Sequence, residues 1–348
     1  MKRNLRVIDG SADLLGTPTG DGRRRPSAVE AAYQHFRLDR QSSLVARSTL
    51  DHYDWTMLPF LAWLEAEHPG VRAFEQLDVQ VVREWRVACS QRLTRHGKPY
   101  EAASLHDFHR SLKTFLSWAE GEGYAVDPRT LRLKGIRVPL KEPTVFHVNQ
   151  LRKILAACQH PREDIAVRIL AGSGVRCAEL TGLALVGPDG LPDLMLDSMD
   201  RGRVELRVRW DGGAKGRKSR RVPISSRLAA AMKRYEARHR EPSHCDAFLV
   251  NEHGRPFTRS GVQQAMERIS SRVGFHVHAH AFRHTFATVA TQLGWNFERL
   301  RAAMGHADYQ VLQRYVRLAT ERDLGRERDW EDFILTPSAM APGVGRQR

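Results

Sequence analysis

The chain has 348 residues, enough for two domains of ordinary size, and its 41% hydrophobic and 27% charged content suits a globular protein rather than a disordered one. Lys and Arg number 55 against 40 Asp and Glu, a net charge of +15 with a pI near 10.2, which favours a polyanionic partner, nucleic acid first. A membrane span is not expected: the longest apolar run, LPFLAWL at 58–64, is far short of the roughly 20 residues required.

The N-terminus, MKRNLRVIDGSADLLG, has no apolar signal core and carries acidic residues. Cys89, Cys158, Cys177 and Cys245 are scattered without a C-x-x-C pair, which reads as cytosolic usage of small buried or inert thiols.

In chain order, residues 1–27 are rich in Gly, Pro and Arg (GTPTGDGRRRPS) and are expected to form a flexible basic arm. Residues 28–123 carry helical periodicity. RSTLDHYDWTMLPFLAWLEAEHPG stops at Pro-Gly, and SLHDFHRSLKTFLSWAEGEG opens on Ser104 as a possible cap and ends in glycines. The stripe of Phe108, Phe115 and Trp118 is expected in a core rather than on a base-stacking platform. Residues 124–142, with Pro, Gly, several cations and no helical period, read as an inter-domain linker.

A second domain is expected from 143 to 335. Asn149 or Thr144 offers a cap for a helix with Val148, Leu151, Ile154 and Leu155 on its apolar face. DIAVRILAGSG is the next helix, VRCAELTGLAL follows a small-residue turn, and VGPDGLPDLMLDSMD looks like a loop. RVELRVRW and RRVPIS alternate in the period of strands around the glycine-rich turn DGGAKGRKS. The rest reads as helix to about 335, before a Pro/Gly tail at 336–348. The expected class is therefore mainly α: a helical N-terminal domain, then a mostly helical domain with one small antiparallel sheet.

The chemistry concentrates at HVHAHAFRHTFATVATQLG, residues 276–294, which opens a helix with four histidines and an arginine. His280 and His284, four apart, share a helix face as two zinc ligands do. The zinc-protease pattern, however, needs a Glu directly after the first His, where Ala281 stands, so no metal is expected. His280 and Arg283 also share a face. A helix N-terminus with a guanidinium and an imidazole makes an anion site that can also move protons. His276, His278 and His284 are read as local structure.

Three further pieces join it. SGVRCAEL puts Arg176 after a glycine turn at a helix start, with Glu179 placed to orient or pair it. GAKGRKSRRVPI holds Lys215 at a hairpin tip beside Gly216. MGHADYQVLQRY supplies His306 and, nine residues later, Tyr315.

With HAFRHTFAT, GHADYQVLQRY, SGVRCAEL and KGRKSRRVPI in this order, the chain resembles the tyrosine recombinases, the phage-integrase-type site-specific recombinases, from about 28 to 330. The resemblance implies a SAM-like core-binding domain at 28–123 and a catalytic domain at 143–335. It implies cleavage and rejoining of double-stranded DNA through a 3′-phosphotyrosyl intermediate, for integration, excision or transposition, with no cofactor. Arg176 and Arg283 would hold the non-bridging oxygens with His306, Tyr315 would attack, His280 would take its proton and Lys215 would protonate the leaving 5′-oxygen.

Lys218 is the fallback for Lys215, because Arg176 and Lys215 stand 39 residues apart, a longer interval than the family usually has. Arg217, Lys218, Arg220 and Arg221 are expected to contact the DNA backbone. The resemblance further implies a homotetramer on a DNA synapse, accessory DNA-bending or partner recombinase proteins, and a place in the bacterial cytoplasm with the nucleoid. The segment DLGRERDWEDFIL (323–335) has the spacing of a short helix, docking either on a neighbouring subunit or on its own domain. A type IB topoisomerase would use nearly the same residues, and a non-catalytic DNA-binding protein would explain the charge but not the full set.

Overall fold

The computed structural model describes residues 26–94, 97–139, 142–195, 204–209, 211–212 and 219–305. The chain divides into two compact units between Lys141 and Glu142. The first contains α1 (Ala28–Ser42), α2 (Arg47–Glu67), α3 (Val79–Gln91), α4 (Ala102–Gly121) and the short α5 (Pro128–Leu131).

Local chemistry sets these boundaries. Ser27 and Glu30 close a capping box at α1, the Glu30 N–H donating to Ser27 Oγ at 3.1 Å and the Ser27 N–H to Glu30 Oε2 at 2.7 Å. Asp78 caps α3 by accepting from the N–H groups of Gln80 and Val81. The core of this unit is aromatic: Tyr33, Phe36, Phe60, Trp85, Phe108 and Phe115 are buried, with Trp118 packed against them. The stripe expected to be core is core.

Two expectations are corrected here. Ser104 does not cap α4, which begins at Ala102 after Glu101. The segment from 124 is not free linker throughout, because Val126 is buried and Leu131 and Leu133 pack on the first core. Asp127 anchors it by capping α5 and accepting from the Val79 N–H at 3.0 Å.

The second unit contains α6 (Val148–Ala156), α7 (Pro161–Ser173), α8 (Cys177–Thr181), β1 (Leu194–Met195), β2 (Val204–Val208), β3 (Arg220–Ile224), α9 (Ser226–Arg238), α10 (Arg259–Val273), α11 (Ala279–Gln292) and α12 (Phe297–Met304). Neither Asn149 nor Thr144 caps α6. His147 holds that position, and its N–H donates to Gln150 Oε1 at 2.9 Å. α7 is apolar nearly all round, and Ile165, Ala166, Val167, Ile169 and Leu170 are buried as it packs between α9 and α11.

The sheet is antiparallel in the order β1-β2-β3, with Leu194 opposite Leu206, Leu206 opposite Val222 and Val208 opposite Arg220. Alternation turns Val204, Leu206, Val208 and Val222 into the core. Two strands were expected; the third, β1, comes from the segment that reads as a loop. Its two residues are too few to show a period. Among the described residues, no helix is long and apolar enough to cross a membrane. Residues 1–25 of the expected arm at 1–27, the segment 323–335 and the tail lie outside the described residues, and Ser27, at the end of that arm, is buried as the cap of α1.

Candidate active site

α7 ends at Gly174, whose φ of +61° is left-handed, and a Cβ there would come within 2.4 Å of the Phe286 ring. The turn buries Val175 and delivers Arg176 to the N-cap of α8. Glu179, in the first turn, accepts from the Arg176 backbone N–H at 2.8 Å and from Arg176 Nη1 at 2.9 Å. One carboxylate therefore starts the helix and aims the guanidinium.

Glu179 is buried, and its other charged partner is Arg220 of β3, which donates from Nη1 to Oε1 at 2.9 Å and from Nη2 to Oε2 at 2.8 Å. Burial alone would raise the Glu179 pKa. The Arg220 hydrogen bonds and charge, followed by those of Arg176, outweigh it and hold the carboxyl down at about 2.

α11 begins by a device that explains part of its histidine run. His278 is the N-cap, and its Nδ1 accepts from the Ala281 N–H at 3.2 Å. His280 follows two positions on, on the outside of the first turn, with its ring 4.3 Å from that of His284 at 77°. Its pKa is lowered, first by partial desolvation and then by the charges of Arg283, His278 and Arg176. Burial and these neighbouring charges favour the neutral imidazole, which is able to accept a proton.

Arg283 is fully buried, donating from Nη1 to the Gly174 carbonyl at 2.6 Å and from Nη2 to the Met304 carbonyl. Nearby Thr285 receives the Phe146 N–H at 2.9 Å and so ties the start of the unit to α11.

The last turn of α12 collects these side chains. Helix-terminal carbonyls lack intrahelical partners. Here the Ala303 carbonyl accepts from Arg220 Nε at 2.7 Å, Met304 accepts from Arg283, and Gly305 accepts from Arg176 Nη2 at 3.3 Å. The structure thus brings Arg176, Glu179 and Arg283 together immediately before His306, with His280 under the influence of both arginines. Lys215, Arg217, Lys218, His306 and Tyr315 lie outside the described residues. Among the described residues, no group of three His, Cys, Asp or Glu gathers to hold a metal ion.

Arg221 is largely exposed and pairs loosely with Glu205 at 3.5 Å. Arg220 differs from the expectation of a DNA-backbone contact: its side chain is only 10% exposed and points inward to Glu179 and Ala303. The signal was present in β3, because Arg220 has the parity of Val222 and so shares its core-facing side. Reading the arginines as one basic cluster hid that alternation.

Residues 144–322 match the model of the phage integrase family, slightly over half of the chain. The chain belongs to the phage integrase family. It is a tyrosine-type site-specific recombinase, an enzyme of DNA cleavage and rejoining. Tyrosine recombinase XerC of Xanthomonas campestris pv. campestris (strain B100) is 25% identical over 319 residues, covering 90% of this recombinase and 91% of the relative.

Two solved structures share the fold. XerH site-specific recombinase in its post-cleavage complex with palindromic difH substrate has a TM-score of 0.62 at 19% identity, covering 84% of this recombinase and 82% of that chain. The lambda integrase(75-356) dimer bound to a COC′ core site has a TM-score of 0.61 at 15% identity, covering 86% and 97%.

Proposed function

We propose that this recombinase binds double-stranded DNA and transfers a scissile phosphodiester to Tyr315, with protein cations doing the electrostatic work. Arg176 and Arg283 neutralise the two non-bridging oxygens and His306 adds a hydrogen bond, so charge developing on phosphorus meets donors already in place. The Tyr315 hydroxyl attacks phosphorus, its proton passing to His280, and the bond from phosphorus to the 5′-oxygen breaks as Lys215 supplies a proton to that oxygen. Products are a 3′-phosphotyrosyl link and a free 5′-hydroxyl. The phosphodiester energy is conserved, so attack by a second 5′-hydroxyl reverses the step without ATP or water.

The observation that carries this reading is the meeting of Arg176 and Arg283 on the turn that leads into His306. Two guanidiniums from separate helices, one aimed by a buried carboxylate, suit a tetrahedral anion with two equivalent oxygens. Arg221, with Arg217 and Lys218, serves as a backbone-phosphate contact, and residues 28–123 form a core-binding domain that also contacts duplex DNA. Four protomers assemble on two sites, with accessory DNA-bending or partner recombinase proteins, in the bacterial cytoplasm at the nucleoid. The reaction serves integration, excision or transposition of a DNA element.

The test is strand exchange between two differently labelled duplexes carrying a candidate site, run in EDTA. Mixed-label products are expected. Relaxation of supercoiled DNA with no exchange between duplexes would assign the chemistry to a topoisomerase, and tight binding without either reaction would leave only a DNA-binding protein.

A further inference from the structure

Arg220 stands where four features of the site meet. It chelates both oxygens of buried Glu179. Through that carboxylate it faces Arg176, which shares Oε1 at the same 2.9 Å. Its Nε takes the Ala303 carbonyl at 2.7 Å, two residues before Gly305, whose own carbonyl accepts from Arg176. A Cβ on Gly305 would lie 3.0–3.2 Å from the Arg220 side chain, so the left-handed C-cap of α12, with φ of +61°, is closed directly over this guanidinium.

We propose that Arg220 is a positioning residue for strand cleavage. It fixes the Glu179 carboxylate that aims Arg176, and it locks the α12 turn from which the chain continues to His306.

The physical case rests on charge and rigidity together. A carboxylate this buried between two guanidiniums needs both: one cation alone leaves half of its lone pairs unsatisfied in a dry setting. With Arg220 present, Glu179 has four of its acceptor sites taken, from Arg220 twice and from Arg176 twice, and its geometry is over-determined. Without Arg220, Glu179 is free to swing and to bind Arg176 bidentately, drawing that guanidinium away from the phosphate. The planar fork matters as well as the charge, since an ammonium satisfies only one direction at a time.

This inference rests on the proposed reading in one respect, that Arg176 grips the scissile phosphate. The side chain's partners also set it apart from its neighbour in the motif: Arg221 is 64% exposed and available to DNA, while Arg220 is 10% exposed and committed inward.

The experiment measures covalent protein–DNA complex formation by the full chain on nicked duplexes. It compares wild type with Arg220→Gln, Arg220→Lys, Arg221→Gln and Arg176→Ala. One substrate carries an ordinary scissile phosphodiester and the other a neutral methylphosphonate, which lacks the charge that Arg176 neutralises. Equilibrium DNA binding is measured across salt concentration for each variant.

On the phosphodiester, Arg220→Gln is expected to slow cleavage by about tenfold or more, as misplacement of a catalytic group does. Its DNA affinity and salt slope should match wild type, and its deficit should shrink on the methylphosphonate in parallel with that of Arg176→Ala. Arg220→Lys should fall between wild type and Arg220→Gln. A salt slope reduced by about one with normal cleavage of bound DNA would make Arg220 a phosphate contact and overturn the proposal. Equal losses on both substrates would overturn it too, as the mark of a purely structural role. Failure of wild type to form any covalent complex on DNA it binds would instead refute the reaction assigned to the chain.

Discussion

At the scale of single residues, the site is organised by ionisation states that the fold enforces. Glu179 is held at about 2 because burial, which opposes its charge, is outweighed by Arg220 and then by Arg176. Its folded pKa lies below the ordinary value of 4.5, so its contribution to stability is fully present above pH 4.5 and is lost as pH falls toward 2. The difference amounts to roughly 3 kcal/mol. Thermal unfolding of wild type against Glu179→Gln should therefore show a gap that is constant from pH 7 to 5 and closes below that range; a gap independent of pH would refute the assignment.

The His280 pKa moves in the same direction, with the opposite effect on charge. Its lowered pKa keeps the ring neutral below the usual histidine range, under desolvation and the charges of Arg283, His278 and Arg176, with His284 packed edge-on beside it. If it takes the Tyr315 proton, the acidic limb of the cleavage rate should fall below pH 6.5 and disappear in His280→Ala, with the rate reduced by about 10²–10⁴. A limb unchanged in that variant would place the base elsewhere.

At the scale of elements, the site depends on how helices end. α7 stops in a left-handed glycine whose carbonyl accepts from Arg283, and α12 stops in a turn whose three carbonyls accept from three arginines. Gly174→Ala would put a Cβ into the Phe286 ring in a backbone region costly for alanine. A loss of about 1–3 kcal/mol in urea unfolding is expected, together with slower cleavage because the Arg283 acceptor moves. Normal stability would show that Phe286 yields without cost.

Much of this scale was legible in the sequence. The order of helices and the hairpin strands around 213–218 follow from apolar period and glycine. Caps were less so. Ser104 and Asn149 are good capping types, yet α4 starts at Ala102 and α6 is capped from His147 with Gln150 reaching back, because tertiary packing sets where a helix can begin. β1 is two residues long and carries no period, whereas the inward turn of Arg220 was signalled by its parity with Val222, which its place in a run of basic residues hid. Arg176, Glu179, His280 and Arg283 were singled out by motif and spacing. The partners of each guanidinium were not, since the Ala303, Met304 and Gly305 carbonyls are main-chain atoms that no side-chain pattern announces.

At the scale of the whole molecule, two units with separate cores carry a net charge of +15. A binding site built on phosphate neutralisation releases counterions, so affinity for duplex DNA should fall at least tenfold between 50 and 200 mM salt, as roughly −0.9 per phosphate contact in log–log slope requires. A flat salt dependence would contradict a backbone-gripping surface.

The family relation gives the class of reaction, and the meeting of Arg176 and Arg283 at the end of α12 supports the proposed hold on a phosphate. The proposed chemistry assigns the covalent link to Tyr315. The most direct test is to trap the covalent complex on a nicked duplex in EDTA, digest the protein, and identify the peptide that retains nucleotide. The account predicts a single nucleotidyl peptide containing Tyr315 and no complex with Tyr315→Phe. A complex that persists in Tyr315→Phe, or a nucleotide attached to any other residue, would contradict it.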